Sequence, residues 1–442
     1  MTAATPLSIL LLGSGGREHA LAWGLTRSKR LGRLVCAPGN PGMATIAECE
    51  PCDVLDPEAV VLLAQRLNVD LVIVGPEAPL EVGVSNALMR ARVPVFGPSQ
   101  EASRLEWDKA FAKDFMERHS IPTASSQSFG ADALESAIRF ARIGPFPRVV
   151  KACGLAAGKG VIIADNADEA EEAVRLMLVG NAFGRAGSRI VVEEFMHGEE
   201  ASIFAVTDGT RYVIMAPSQD HKQVDDGDKG ANTGGMGAYA PASIVSDDIM
   251  EQVRREVVEP TLLGMSSAGT PYVGCLYVGL MIDRNGYARV VEFNSRFGDP
   301  ETQVIVPIYD GDLLELIWSA ATGALPATGI APFRGAAACV ILSSGGYPGA
   351  YRTGLPITGI PSKEESTDVE VFHAGTENRD GTLVTAGGRV LGVTAYDAEG
   401  NLDRAISKAY DVARQVRFEG AHYRTDIGKR SVSSTCVVGV RK

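Results

Sequence analysis

The chain has 442 residues, 45% hydrophobic and 22% charged, with a net charge of −12 at neutral pH. That length allows roughly three domains of about 150 residues, each with a buried core. The acidic balance and the lack of a long basic run argue against nucleic acid as a partner. No run of about 20 apolar residues exists to span a membrane. The opening "MTAATPLSILLLGSGG" lacks the basic start of a signal peptide. Seven scattered cysteines fit a reducing, cytoplasmic setting. Cys49 and Cys52 form one C-x-x-C, and without a second ligand pair nearby they read as two ordinary thiols.

In chain order, an apolar run at 8–12 ends in "GSGGREHA" and leads into a helix expected to reach about Ser28. Further apolar runs at 33–40, 70–79 and 93–99 each end in Gly or Pro, with helical stretches between them. Strands alternating with helices indicate a doubly wound parallel sheet, with ligands at the carboxyl ends of its strands. From about residue 104 the pattern changes. The stretch "RLEWDKAFAKDFMERH" reads as one helix, followed by paired strands 147–152 with 160–164 and 189–196 with 200–207. Residues 218–241 form a long polar, glycine-rich loop of the kind that is usually functional or disordered. A helix from "DDIMEQVRREVVEPTLLGM" and a hairpin of 274–283 with 288–294 follow. Residues 322–333 read as a linker. Beyond them lie short strands, glycine turns and a final helix with Leu402, Ala405, Ile406, Ala409, Val412, Ala413 and Val416 on one face. The expected architecture is therefore multidomain, α/β then α+β: an N-terminal domain over 1–103, a central domain over 104–325 and a small mixed domain over 334–442.

Three motifs carry chemistry. In "VVKACGLAAGKGVIIA" (149–164), Gly158-Lys159 imitates a phosphate-binding P-loop. However, Cys153 stands where the first glycine belongs, Gly160 follows the lysine, and a β-branched run replaces the helix. The stretch reads as strand, glycine hairpin and strand, with Lys159 at the tip and Lys151 inside the sheet. A surface hairpin with a solvated lysine has the same local signature. An inward lysine on a strand, however, calls for an anion. In "EFNSRFGDPE" (292–301), Glu292 and Asn294 project from one strand face and offer the hard oxygen ligands that suit Mg²⁺ held jointly with phosphates. An edge strand with two polar residues is the plainer reading. In "IVVEEFMHGEEAS" (190–202), Glu193, Glu194 and Phe195 follow a buried strand and suit a flat purine, with Glu200 placed for ribose hydroxyls. At the N-terminus, "GSGGRE" falls short of a dinucleotide fingerprint. Glu18 replaces the third glycine, and the ribose acid expected about 20 residues on is missing. A sugar phosphate on a helix N-terminus fits better.

With these residues in view, the chain resembles the ATP-grasp enzymes and, within them, the glycinamide ribonucleotide synthetase (phosphoribosylamine–glycine ligase) family. The resemblance rests on "GSGGREHALAW" (13–23), "APGNPG" (37–42), "VGPEAPL" (74–80), "GLAAGKGV" (154–161), "GNAFG" (180–184), "EEFMHGEEAS" (193–202), "SQDHK" (218–222), "NTGGMGAY" (232–239) and "EFNSRFGDPETQ" (292–303). "GGYPGAYRTG" (345–354) and "VFHAGT" (371–376) also fit. It implies an ATP-dependent enzyme that joins glycine to 5-phosphoribosylamine through a glycyl phosphate, with Mg²⁺ or Mn²⁺ and a glycine-rich lid around 151–162. Carried over residue by residue, Lys109, Lys151, Gly158, Lys159 and Gly160 would meet the nucleotide's phosphates or base. Glu193, Glu194, Phe195 and Glu200 would hold adenosine, and Glu292 and Asn294 the metal. Asp220, Arg296 and Asp299 would face glycine and the acyl phosphate. Gly15, Gly16, Arg17, Asn40, Gly42 and Glu77 would face phosphoribosylamine. The chain departs from the family pattern at Cys153 (usually Asp), Asp108, Ala231 and Ser295. Two other readings compete: a nicotinamide dehydrogenase, which explains only the first hundred or so residues, and another ATP-grasp carboxylate–amine ligase or a non-catalytic nucleotide-binding relative.

Overall fold

The computed structural model describes residues 5–154, 160–180, 187–362 and 368–429. The chain begins with β1 (Leu7–Gly13), α1 (Gly16–Leu25), β2 (Leu31–Pro38), β3 (Glu48–Cys49), α2 (Pro57–Leu67), β4 (Leu71–Val74), α3 (Ala78–Glu81), α4 (Val84–Arg90) and β5 (Val95–Phe96). The five strands form a parallel sheet of order β3-β2-β1-β4-β5. Alternation along β1 sends Ile9 and Leu11 into one core and Leu10 and Leu12 into another, so both sheet faces are covered. Local signals set the helix ends: Asp56 accepts from Glu58 and Ala59 N–H ahead of Pro57, and Asn68 closes α2 in the left-handed region. The loops after β1, β2 and β4 carry Gly15, Asn40 and Glu77 to one rim.

Next come α5 (Arg104–Trp107), α6 (Lys109–Arg118), β6 (Ser126–Gly130), α7 (Leu134–Arg142), β7 (Arg148–Ala152), β8 (Val161–Ala164), α8 (Ala167–Leu178) and β9 (Arg189–Glu194). The four strands form an antiparallel sheet, β6-β9-β7-β8, with α7 and α8 packed on it. Then follow β10 (Glu199–Asp208), β11 (Tyr212–Ile214), β12 (Gln219–Asp220), β13 (Gln223–Asp225), β14 (Lys229–Asn232), β15 (Gly237–Ala240), α9 (Asp247–Val253) and α10 (Glu259–Ser267). After these come β16 (Val273–Ile282), β17 (Ala288–Asn294), α11 (Thr302–Ile308), α12 (Leu313–Ala321) and β18 (Gly329–Ile330). A second sheet has order β17-β16-β10-β11-β18. The chain continues through β19 (Ala336–Ser343), β20 (Val369–His373), β21 (Thr376–Arg379), β22 (Thr382–Thr385), β23 (Arg389–Asp397) and α13 (Leu402–Ala413). A third sheet, β12-β15-β19-β23-β20, draws strands from both sides of the expected 325/334 division.

The structure corrects five expectations. The helix expected over 104–119 breaks at Asp108, whose non-helical backbone and carboxylate, accepting from Phe111 N–H, restart it as α6. Strands β9 and β10 do not pair. The chain crosses between sheets through Phe195–Gly198, where Gly198 has φ +156° and a Cβ would collide with Ile282 O. The polar loop at 218–241 contains four short strands, and the linker at 322–333 contains β18, paired with β11. The helix after β1 ends at Leu25 rather than Ser28.

Candidate active site

A cavity of about 620 Å³ opens between the four-stranded sheet and the β17-β16-β10 sheet, and its far wall comes from Tyr347 and Arg389. One end is apolar, built from Met116, Val149, Ile163, Phe195, Met196 and Met281. Phe195 stands edge-on to His197 at 4.9 Å. Such apolar lining suits an aromatic base.

The charged floor begins with three groups closed upon themselves. Glu193, 2% exposed, binds Lys113 at 2.8 Å and Lys151 at 2.7 Å. Burial opposes its charge, yet the two lysines hold its carboxyl below the usual carboxylate range. Burial in turn pushes Lys113 down. The anion that the inward-facing Lys151 requires is thus Glu193. Lys151 also donates to Val291 O at 3.3 Å, leaving one of its three donors for a ligand. Glu194 is turned the other way, onto Arg289 at 2.9 Å and Ser125 N–H. Glu200 pairs with Lys222 at 2.8 Å.

The β17 end is different. A bulge at Val291 lies between the Gly279–Glu292 and Leu280–Val290 pairings, and both Glu292 and Asn294 line the cavity. Burial opposes the Glu292 charge, but Lys222, Lys109, Lys151 and Arg296 outweigh it and hold the carboxyl below its ordinary range. None of the four lies within ion-pair distance of it. Asn294 Oδ1 accepts from Arg296 Nη2 at 3.2 Å, while its buried Nδ2 has no hydrogen-bond partner among the described residues. A carboxylate oxygen and an amide oxygen are hard donors of the kind that hold a divalent cation jointly with phosphates, and the positive charge around them attracts those phosphates.

Arg296 is the central node. Its guanidinium lies 3.2 Å from Glu77 and 3.3 Å from Glu106, and over the Tyr277 ring at 5.9 Å. Glu77 is held down at about 2: burial works against its charge, but Arg296 and Arg17 overcome it. Burial pushes Glu106 up to about 7 despite Arg296. Ser295 N–H donates to Glu106 at 2.7 Å. Asp299 meets Arg389 at 3.0 Å and Gln303 Nε2 at 2.7 Å. Its carboxylate comes so near the α1 entrance that a Cβ on Gly15 or Gly16 would lie 3.6 or 3.7 Å away. Asp220 is buried in the same cavity, its carboxyl pushed up to about 7 by burial, with Lys222 pulling the other way.

At the N-terminal rim, Gly15 N–H donates to Glu18 at 2.7 Å, and Arg17 reaches Glu18 (2.5 Å), Phe297 O (3.2 Å) and Glu77 (3.8 Å). Asn40 is spent within the fold: Nδ2 donates to Ser14 O and His373 O, and Oδ1 accepts from Met43 N–H. Gly42 has no room for a Cβ against His19 and His373. The structure therefore brings Lys109, Lys151, Gly160, Glu193, Glu194, Phe195, Glu200, Asp220, Glu292, Asn294, Arg296, Asp299, Arg17 and Glu77 onto one cavity. Gly15 and Gly16 adjoin it through Asp299, while Asn40 and Gly42 serve the rim from behind. Gly158 and Lys159, with the rest of the lid tip, lie outside the described residues. The residues missed from sequence are Lys113, Lys222, Glu106, Tyr277, Glu301 and Arg389. Lys113 was legible as the i+4 neighbour of Lys109, and Lys222 and Glu301 sit inside motifs already noted. The Glu106 and Arg389 pairings are long-range and left no local signal.

The chain is similar to known proteins along nearly its whole length. The chain matches the family models for the N domain of phosphoribosylglycinamide synthetase over residues 7–106, its ATP-grasp (A) domain over 107–302 and its C domain over 337–430. It is 47% identical over 429 residues to the phosphoribosylamine–glycine ligase of Vibrio vulnificus strain CMCP6, which spans 97% of this chain and 99% of that one. It is 48% identical over 429 residues to that of Pseudomonas aeruginosa, with the same coverage. A crystal structure of phosphoribosylamine–glycine ligase from Thermotoga maritima superposes with a TM-score of 0.83 at 33% identity, covering 96% of this chain and 100% of that one. A biotin carboxylase domain from Hydrogenobacter thermophilus, 17% identical with a TM-score of 0.70 over 95% of this chain and 92% of that one, shares the fold.

Proposed function

The chain belongs to the phosphoribosylglycinamide synthetase family, and from that premise we propose how its cleft carries out the chemistry. It is an ATP-dependent ligase that joins glycine to phosphoribosylamine in purine biosynthesis. A carboxylate is a poor acyl donor, so one glycine carboxylate oxygen attacks the γ-phosphorus and the bond to the β-phosphate oxygen breaks, giving glycyl phosphate and ADP. The phosphoribosylamine nitrogen then attacks the acyl carbon, the C–O bond to phosphate breaks, and the departing phosphate takes up the amine proton.

In this reading the adenine enters the apolar slot beside Phe195 and Met196, and Glu200 faces the ribose. Lys109, Lys151 and Lys222 surround the phosphates by placement and charge. Lys109 makes no ion pair among the described residues, which leaves its ammonium open to a ligand. Glu292 and Asn294 would hold Mg²⁺ or Mn²⁺, which when bound neutralises phosphate charge. Asp220, Arg296 and Asp299 face glycine and the acyl phosphate. Gly15, Gly16, Arg17 and Glu77 face phosphoribosylamine, with segment 1–103 supplying that sugar, 104–325 the nucleotide and 334–442 the far wall. A glycine-rich lid over 151–162 would exclude water from the acyl phosphate. The observation that carries the reading is Glu292: a carboxylate ionised among four cations and paired with none of them.

The test is ADP release by the purified chain. We expect release that needs glycine, Mg²⁺ and phosphoribosylamine together. Nucleotide binding without turnover would favour a non-catalytic relative instead.

A further inference from the structure

The β13–β14 hairpin forms a two-stranded sheet of its own. Such a ribbon is marginal in water unless something holds it. Its inner end is part of the cleft: Gln223, Gly230 and Asn232 line the cavity beside Lys222 and Thr233. Its outer end, from Asp225 to Gly230, is exposed and is gripped by segment 422–426 beyond α13. Thr425 N–H donates to Asp226 at 2.7 Å, and the Thr425 hydroxyl donates to the same carboxylate. Gly227 N–H donates to Asp426 at 2.8 Å, and His422 Nε2 lies 2.8 Å from Val224 O. At the centre is Arg424, whose side chain is wholly buried. It forks onto Asp426, Nε to Oδ1 and Nη2 to Oδ2, both at 2.8 Å. Its Nη1 donates to Gln223 O at 3.1 Å and to Asp228 Oδ1 at 3.0 Å.

A buried ion pair adds little net stability, because desolvation offsets most of the attraction; its best-attested use is to fix one arrangement over others. This one is directional. The planar fork admits Asp426 in a single orientation. Its base is braced by α13, where Tyr410 Oη donates to Arg424 O and accepts from Ile427 N–H, each at 2.9 Å. Its far end meets the peptide next to Lys222, whose own carbonyl accepts from Thr233 N–H at 2.8 Å and Thr233 Oγ1 at 2.7 Å. Contact therefore runs unbroken from a buried arginine of the C domain to the cleft. We propose that Arg424 is a positioning residue of the ligase, fixing the hairpin wall of the nucleotide cleft and, with it, Lys222. The proposal rests on the reading that sets Lys222 among the phosphates. It gives the C domain a part in nucleotide binding beyond the wall formed by Tyr347 and Arg389.

The experiment compares Arg424→Lys, Asp226→Ala and Lys222→Ala with the wild-type enzyme, measuring KM for ATP and for glycine, kcat, melting temperature and amide exchange over 223–232. Arg424→Lys keeps the charge but loses the fork. Asp226→Ala cuts the contact from the exposed side of the hairpin and decides the matter alone if Arg424→Lys fails to fold. Both are expected to speed exchange over 223–232 and to raise the ATP KM roughly tenfold, as for a binding group shifted by up to about 1 Å. The glycine KM and kcat should stay within about threefold, because the reacting centre itself is untouched. An unchanged ATP KM overturns the proposal, even if the hairpin exchanges faster. So does a raised ATP KM without faster exchange, since the effect would then bypass the hairpin. A lower melting temperature with both KM values raised alike marks a structural role and overturns it too. Lys222→Ala separates the underlying reading: if it leaves the ATP KM unchanged while the other two variants raise it, the placing of Lys222 among the phosphates fails and the positioning of the hairpin stands.

Discussion

Glu193 and Glu292 are carboxylates of the same cavity, both held ionised by lysines, yet they are built differently. Glu193 is closed: Lys113 and Lys151 touch it, and water is excluded. Glu292 feels four cations and is touched by none of them. A buried pair in contact has already spent its charge on the fold, whereas charges held near one another but apart are available to a ligand. The same contrast separates Asn40, whose polar atoms are all engaged, from Asn294, whose buried amide nitrogen is not.

The sharpest way to break this contrast is to neutralise each carboxylate in turn. Glu193→Gln leaves two buried lysines without a counter-ion and should cost about 3–5 kcal/mol of stability, read from chemical denaturation. Glu292→Gln should leave the melting temperature within about 2 °C and lower turnover on the order of 10²- to 10³-fold. If the two variants exchanged their effects, the division between closed and open charges would be lost. Next comes Arg296→Ala, expected to lower turnover on the order of 10²-fold. A loss under about threefold would remove Arg296 from the reacting centre.

A pH profile sharpens the open side. Asp220, which faces glycine in the proposed reading, would attract its ammonium only when ionised, and burial has raised its carboxyl to about 7, with Lys222 opposing and Glu301 and Glu200 adding to the rise; the Tyr277 hydroxyl faces the same group. Binding of glycine below that pH must first remove a proton. The glycine KM should therefore rise as pH falls below about 7, approaching about tenfold per unit, and be flat above it. The profile of Asp220→Asn should lack that slope. The smallest effect belongs to Arg289, partly exposed on Glu194: Arg289→Ala should cost under about 1 kcal/mol in the same denaturation assay.

The sequence made the skeleton legible where one face of an element is buried. The alternation along β1, the turn chemistry after β1, β2 and β4, and the Glu292–Asn294 spacing follow from local periodicity. What it hid are partnerships across the chain. Nothing near residue 189 says that β9 pairs with β6 and β7 while β10 pairs with β16. Asp108 looked like an interior helix residue, and its capping role shows only once the chain bends there. Lys151 was read as calling for an anion, and nothing in its own strand says that Glu193, across the sheet, supplies one. Arg296, read as a substrate clamp, is also the brace joining Glu77 to Glu106.

The most direct test of the central claim, that this cavity activates glycine's carboxylate by phosphorylation, follows an oxygen atom. Glycine labelled with oxygen-18 in its carboxylate is turned over with ATP and phosphoribosylamine, and the released phosphate is analysed by mass. Each phosphate is expected to carry a single labelled oxygen. Phosphate free of label would contradict it.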